Sequence, residues 1–157
     1  LITVNLSTGV VFSTSSNGSF KIVSVDETVL AWSTEDKATN AINKDDGMAN
    51  MNTIKAINPD LSKYPAFEWC SAHGTDWYLP AYNELSELKN NQHTISSTLS
   101  AKDYTPVYKK SSNYYYLSST EENSLCVLAR NLGDYSGSTK YPSKDEAVCY
   151  VRAVLTF

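Results

Sequence analysis

The amino-acid sequence predicts an α+β domain in which two or three helices pack on a twisted, mostly antiparallel sheet. Two observations predict strands: an Asn17-Gly18 turn between two apolar runs, and an apolar run from Val148 to Phe157. A third observation, at Trp77–Leu88, predicts a strand that leads directly into an amphipathic helix. The 157 residues are enough for one domain with its own hydrophobic core.

The central stretch, Trp77–Leu88, is the one around which we expect the chain to be organised. Pro80 suits the first turn of a helix, because the N–H that proline lacks has no partner there. A complete capping box would pair a hydroxyl at position 81 with Glu84, and Ala81 has none, so we expect a loss of about 1 kcal/mol. One helix face then carries residues at three-residue spacing: Tyr82, Leu85 and Leu88.

The remaining elements follow from apolar runs and helix-breaking residues. Asn-Gly is a hairpin signal because both residues tolerate positive φ. Asp45 or Asp46 can cap the first helix, and Asn58-Pro59 ends it. From Ile95 onward we expect only strands and loops. The expected strands are 10–12, 20–25, 29–32, 114–118, 125–132 and 148–157, and the expected helices are 47–57, 65–73 and a third from residue 80 to about residue 90.

We expect a single domain over residues 9–157, preceded by residues 1–8 as the end of a linker or a short edge strand. The hydrophobic content of 41% and the charged content of 19% are typical of a globular chain. The N-terminal hairpin and the last strand should lie close together. The core is expected to contain Trp32, Trp69, Trp77, Leu79, Leu85, Leu88, Val127, Val151 and Val154.

Three motifs, in this order along the chain, resemble a known family. They are W-x-L-P-x-x-x-E-L-x-x-L from Trp77, Y-L-S-S-T-E from Tyr116, and Y-V-R-A-V from Tyr150. The family is a bacterial surface-protein domain of unknown function that also forms the C-terminal domain of the collagen-like adhesin Lcl. The resemblance spans residues 9–157, and it implies a fold similar to that of C-type lectins. Leu117 stands where the family usually has Trp, and Ala81 stands where it usually has Ser or Thr.

The functions associated with similar folds need residues that this chain does not supply in the right places. Calcium-dependent lectins pair a Glu-Pro-Asn or Gln-Pro-Asp triplet in a long loop with a late Trp-Asn-Asp. Here Asn58-Pro59-Asp60 precedes the second helix and is better interpreted as a helix stop, and no Trp-Asn-Asp occurs. Formylglycine-generating enzymes need a reactive, accessible cysteine pair, whereas Cys126 and Cys149 lie among apolar residues.

Composition and charge exclude several classes of partner. The net charge is −4 and the Lys and Arg residues are scattered, so we expect no nucleic-acid binding. No apolar run is long enough to span a bilayer. The chain begins at Leu1 without an export signal, and we interpret it as a mature or trimmed part of a secreted or cell-surface bacterial protein.

The three cysteines leave two arrangements open. Cys126 and Cys149 lie on strands that we expect to be neighbours, and they form either a disulfide or two packed thiols, with Cys70 a small buried residue. A Cys₃His zinc site with His73 is the less favoured alternative, because no C-x₂-C pair is present. We therefore expect no metal and no cofactor.

Catalytic constellations are not evident. Glu84 and Glu87 are one helical turn apart, as on a solvated helix face, and the pairs Glu121-Glu122 and Asp145-Glu146 are also interpreted as surface. Neither histidine has a clear nucleophile partner. We therefore expect a non-catalytic recognition module that binds a glycan or an extracellular protein, with a structural spacer as the alternative and an enzyme as the third.

The recognition surface is expected on loops at one end of the domain. The two least regular stretches, 102–113 and 133–146, are rich in tyrosine and lysine, and aromatic rings stack on sugar or protein surfaces while ammonium groups favour acidic partners. The alternative is that these tyrosines only fasten their loops to the body. The candidate ligand-binding residues are Tyr104, Tyr108, Tyr135, Lys140 and Tyr141, with Lys109, Lys110 and Lys144 nearby.

Overall fold

A computed structural model of the protein describes residues 9–110, 113–133 and 137–157. Residues 1–8, predicted to be a linker or an edge strand, lie outside the described residues. The helices are α1 (Gly47–Ile57), α2 (Pro65–Ser71), α3 (Tyr82–Asn90) and α4 (Gln92–Ser100). The strands are β1 (Gly9–Thr14), β2 (Phe20–Ser24), β3 (Thr28–Val29), β4 (Trp77–Tyr78), β5 (Tyr115–Glu121), β6 (Val127–Asn131), β7 (Thr139–Lys140), β8 (Tyr150–Val151) and β9 (Val154–Thr156).

The structure contains both helices and strands, so the α+β class is confirmed. The prediction of one sheet with two or three helices is wrong, because the strands form two sheets and the described residues contain four helices. One sheet has the order β1-β2-β9-β4, and the other has the order β3-β8-β5-β6-β7. All strand pairs are antiparallel except β5 with β8. The predicted strand 148–157 is divided between the sheets, because Arg152 and Ala153 separate β8 from β9.

The N-terminal hairpin forms as the Asn17-Gly18 signal predicts. Gly18 has φ +86°, a conformation that favours glycine, and the turn connects β1 to β2. β2 then pairs with β9, which confirms that the hairpin and the last strand are neighbours. Phe20 stacks on Phe157 with ring centroids 5.0 Å apart, so β2 and the last residue of the chain are joined by side chains as well as by backbone.

The local sequence pattern predicts some of the helices but not α4. α1 occupies the predicted residues, and Asp46 caps it by accepting a hydrogen bond from the Ala49 N–H. α3 begins at Tyr82 with Ala81 as its N-cap, so the prediction that Pro80 lies in its first turn is wrong. The expectation of only strand and loop after Ile95 is wrong, because α4 continues to Ser100. Its serine- and threonine-rich sequence has a modest intrinsic helix propensity. Ile95 and Leu99, one turn apart and buried, pack it onto the body and override that propensity.

The central stretch occupies the position that its sequence predicts. Trp77 and Tyr78 pair with Leu155 and Val154 of β9, and the helix that follows buries Leu85 and Leu88. All the predicted core residues are buried except Trp69, which is half-buried and makes an edge contact with the His73 ring at 4.4 Å.

We expect Trp77→Ala to lower the free energy of unfolding by about 3–5 kcal/mol, because it removes a large aromatic side chain from the core. Chemical denaturation monitored by circular dichroism measures the change. Tyr141→Ala is the matched control: its ring is 56% exposed, and we expect a change within about 0.5 kcal/mol. A Trp77→Ala protein as stable as wild type would contradict the central role of this stretch.

Candidate functional site

The polar residues of the Y-L-S-S-T-E motif are inside the protein. Ser118, Ser119 and Thr120 have no exposed surface, and buried hydroxyls need hydrogen-bond partners. The Ser118 hydroxyl donates to the carbonyl of Leu128, and the Thr120 hydroxyl donates to the carbonyl of Asn43. Ser119 accepts from the Asn50 side chain of α1 at 2.9 Å. These groups therefore hold the body together and are not available to a ligand.

Glu121 and Lys144 form a buried ion pair, so their interpretation as surface residues is wrong. Their charged atoms are 2.7 Å apart, and the two side chains are 4% and 0% exposed. Thr39 donates its N–H and its hydroxyl to the same Glu121 oxygen, while Lys144 also donates to the carbonyl of Lys37. Burial alone would raise the pKa of Glu121, but the hydrogen bonds from Lys144 and Thr39 outweigh it and lower the pKa.

A second buried cluster surrounds Glu27. The Arg152 guanidinium, 2% exposed, lies 3.1 Å from the Glu27 carboxylate, and the Tyr116 hydroxyl donates to that carboxylate. Lys109 pairs with the other oxygen and lies 4.3 Å from the centroid of the Tyr114 ring. Lys109 and the arginine of the Y-V-R-A-V motif therefore have internal partners.

A cleft of about 500 Å³ lies beside the start of α3. Glu84 lines it and is only 2% exposed, so its assignment to a solvated helix face is wrong, whereas Glu87 is 39% exposed. Glu84 accepts from the Ala81 N–H at 2.8 Å, which is the half of a capping box that does not need a hydroxyl at position 81. It also accepts from the Gly47 N–H and the Tyr78 hydroxyl.

The charges of this cleft are largely engaged in the fold. Lys21 lies 3.1 Å from Glu84. Burial alone would lower the pKa of Lys21, but the carboxylates of Glu84 and Glu87 outweigh it and raise the pKa. Asp46 caps α1, and Asp45 accepts from the Asn83 amide. Across residues 9–110, 113–133 and 137–157, no three His, Cys, Asp or Glu side chains are arranged to hold a metal ion.

The predicted recognition residues are divided between two regions. Tyr104 is 37% exposed and lines a groove of about 260 Å³ beside β1 and α4. Tyr108 is half-buried, with its ring 4.6 Å from that of His93. Lys140 and Tyr141 are exposed at β7, the edge of the five-stranded sheet opposite β3. Tyr135 lies outside the described residues. The structure therefore brings Lys140 and Tyr141 together but not the full set.

Arg130, on β6, is a residue that the sequence analysis missed. Its guanidinium carbon lies 5.2 Å from the centroid of the Tyr82 ring, and Nη1 donates to the Tyr82 hydroxyl at 2.9 Å. Its Nε–H is buried and has no hydrogen-bond partner. Arg130 is paired across the ladder with Thr139, so these two side chains lie on the same face of the sheet, and Tyr141 directly follows β7. The available signal was a single charged residue inside the apolar run from Val127 to Leu132.

Of the two arrangements left open for Cys126 and Cys149, the structure has the free thiols, and Cys70 is also free. Cys126 pairs with Ser143 next to β6, whereas Cys149 directly precedes β8. β5 lies between β6 and β8, so the expectation of neighbouring strands is wrong. Two strand spacings amount to about 9–10 Å, more than the roughly 7 Å that a disulfide allows between Cα atoms. Burial raises the pKa of Cys149 to about 11.

Comparisons with known proteins bear on the fold alone. No family model matches the chain, and no curated protein matches it. The fold is similar to that of a fimbrial protein from Bacteroides ovatus, with a TM-score of 0.63 and 15% sequence identity. The match covers 88% of this chain and 36% of that protein's chain, so this chain spans about a third of its length. Within the part of the chain that is described, no helix combines the length and apolarity needed to cross a membrane.

We expect Glu121→Gln to lower the free energy of unfolding by about 3–5 kcal/mol at neutral pH, because Lys144 would stay buried without a counter-charge. The lowered pKa of Glu121 means that its contribution is present above the ordinary value of 4.5 and is lost as the pH falls through the folded-state pKa. Wild-type stability should therefore fall below pH 4.5, and that of the variant should fall less. Urea denaturation at several pH values, from neutral to about pH 3, measures how the free energy of unfolding of each protein changes with pH.

Glu122→Gln is the control for this prediction, since the neighbouring Glu122 is exposed. It should follow the wild-type protein at each pH. If the free energy of unfolding changed with pH in the same way for Glu121→Gln and wild type, the ion pair between Glu121 and Lys144 would not contribute as described.

The three thiols should react at different rates. Cys126 is half-exposed, whereas Cys70 and Cys149 are buried and have raised pKa values, which lowers the fraction of reactive thiolate. We expect iodoacetamide to modify Cys126 first in the native protein and all three after unfolding, as read by mass spectrometry. A Cys126→Ser variant should lose the early modification. Failure of Cys126 and Cys149 to react after unfolding without reductant would instead indicate a disulfide.

Proposed function

We propose that this chain is a non-catalytic recognition module of a secreted or cell-surface bacterial protein, related to the domain found in Lcl and built on a C-type-lectin-like fold. The similarity to a fimbrial protein supports a surface role. The pairing of the N-terminal hairpin with β9 supports the lectin-like arrangement, in which the two ends of the domain meet. The ligand is a glycan or an extracellular protein.

The binding surface is the β6–β7 surface, an edge of the five-stranded sheet with Tyr82, Arg130 and Thr139 on one face, Lys140 on the other face, and Tyr141 directly after β7. The observation that carries this assignment is the contrast between its cations and those of the body. Lys109, Lys144 and Arg152 each pair with a glutamate. Arg130 and Lys140 contact tyrosine rings instead, and no carboxylate among the described residues pairs with either. Their charges are therefore available to an acidic ligand.

Two observations weigh against the enzymatic alternative. A cysteine-based mechanism needs an accessible, reactive pair, yet Cys149 is buried with a raised pKa and is separated from Cys126 by β5. The buried Glu84 and Glu121 and the largely covered Glu27 each accept several hydrogen bonds from the fold itself. The experiment must therefore distinguish a recognition module from a structural spacer that binds no ligand.

The test is an array of glycans and extracellular-matrix proteins probed with the purified domain, with and without chelator. For a ligand found in this way, we expect the double variant Lys140→Ala/Tyr141→Ala to bind at least about 10-fold more weakly, as loss of a central aromatic and a charge does at interfaces. Its melting temperature should stay close to that of wild type, since both side chains are exposed.

The matched control is Lys102→Ala/Tyr104→Ala, an exposed lysine–tyrosine pair on the other predicted loop. It should keep the affinity. Loss of binding in the control alone would move the site to the groove beside β1, and an array with no ligand at all would favour the spacer.

A further inference from the structure

The Arg130 side chain is held in place by the residues packed against it and by one hydrogen bond to Tyr82. The Tyr82 ring packs against the guanidinium, and Gly137 leaves it room: a Cβ at residue 137 would lie 3.0 Å from Nη2. Gly137 has φ +60°, a conformation that suits glycine. The Nε–H is covered and unpaired, which is unfavourable for a charged donor. The group is therefore positioned before any ligand arrives.

The hydrogen bonds around Arg130 leave mainly donors without a partner among the described residues. Nη1 donates to the Tyr82 hydroxyl, which also forms a hydrogen bond with Thr139 Oγ1. Either hydroxyl can donate in that bond, and in both cases the hydrogen of the other hydroxyl remains for an outside acceptor. Of the five guanidinium N–H groups, only the one directed at Tyr82 has a partner in the described structure. A ligand group that only accepts hydrogen bonds matches this arrangement.

We infer that Arg130, Tyr82 and Thr139 form a carboxylate-binding subsite of the β6–β7 surface. A guanidinium is always charged, and its planar fork matches the two oxygens of a carboxylate. Arg130 contributes a single positive charge, which a monoanion balances. Tyr141, directly after β7 and 56% exposed, offers a flat apolar contact for the carbon skeleton of the ligand. The inference rests on the proposed function and names its ligand class: a sugar acid, or the acidic side chain of a protein.

The test compares carboxylates with uncharged molecules of the same shape. Methyl glucuronide and methyl glucoside form one pair, and acetyl-glutamate amide and acetyl-glutamine amide form the other. Nuclear magnetic resonance titration detects affinities on the order of 1 mM, which are expected for one such contact. We expect a carboxylate probe to shift the signals of Thr139, Tyr141 and the Arg130 side chain in a saturable way, and its uncharged partner not to do so. The pair that responds identifies the source of the carboxylate.

Substitutions at Arg130 separate recognition from folding. Arg130→Lys keeps the charge but loses the fork, and we expect at least 10-fold weaker binding; Arg130→Gln should abolish it. Lys102→Gln, an exposed cation outside this surface, should bind as wild type does. Melting curves establish that each variant is folded, and Thr139→Val provides a second test, since it removes the hydroxyl donor while keeping the shape.

Equal binding of charged and uncharged probes, or full binding by Arg130→Gln, would overturn the carboxylate assignment. A failure of the proposed recognition surface would give a different pattern of results. If Lys140→Ala/Tyr141→Ala abolishes binding to the array ligand while Arg130→Gln retains it, the recognition surface stands and the subsite does not. If neither variant changes the affinity, the ligand binds elsewhere and both proposals fail.

Discussion

The buried ion pair between Glu121 and Lys144 is the interaction on which the rest of the fold depends. Residues 30–46 contain no helix or strand, and an irregular segment of this length needs partners for its backbone groups. Glu121 supplies them through Thr39 and Asn40, while its own N–H donates to the carbonyl of Ala41. Lys144 receives the N–H of Ser33 at its carbonyl. One ion pair thus joins the five-stranded sheet, the irregular segment and the chain leading to β8.

Two other glutamates act in the same way. Glu84 joins the starts of α1 and α3 to Lys21 on β2, and Glu27 joins Arg152 to Tyr116 and to Lys109 in the loop before β5. A buried charge is stabilising only where its partners satisfy it, so each glutamate requires several segments to meet at one point. The cations drawn into these clusters are removed from the surface. Arg130 and Lys140 are exceptions at β6–β7, and for this reason that surface is the best candidate for a ligand.

Part of this candidate site was predictable from the sequence. Lys140 and Tyr141 were found because a polar, glycine-rich stretch predicts an exposed loop, and they are exposed. Arg130 was missed because a lone arginine in an apolar strand does not reveal its partners. Lys144 was placed on the surface for a related reason: its sequence neighbours are polar, but its carboxylate partner lies 23 positions earlier in the chain. Exposure follows from local composition, whereas pairing of charges does not.

The sequence by itself determined the elements that depend on local geometry. Asn17-Gly18 specifies a hairpin, and the apolar spacing after Pro80 specifies α3, because these patterns act on backbone angles and on one helix face. Only the tertiary structure decided that 92–100 is helical, that the C-terminal run is divided between two sheets, and that β5 separates Cys126 from Cys149. These outcomes depend on packing and strand order among residues distant in the chain. Burial and pairing across such distances are properties of the whole fold, and no local pattern encodes them.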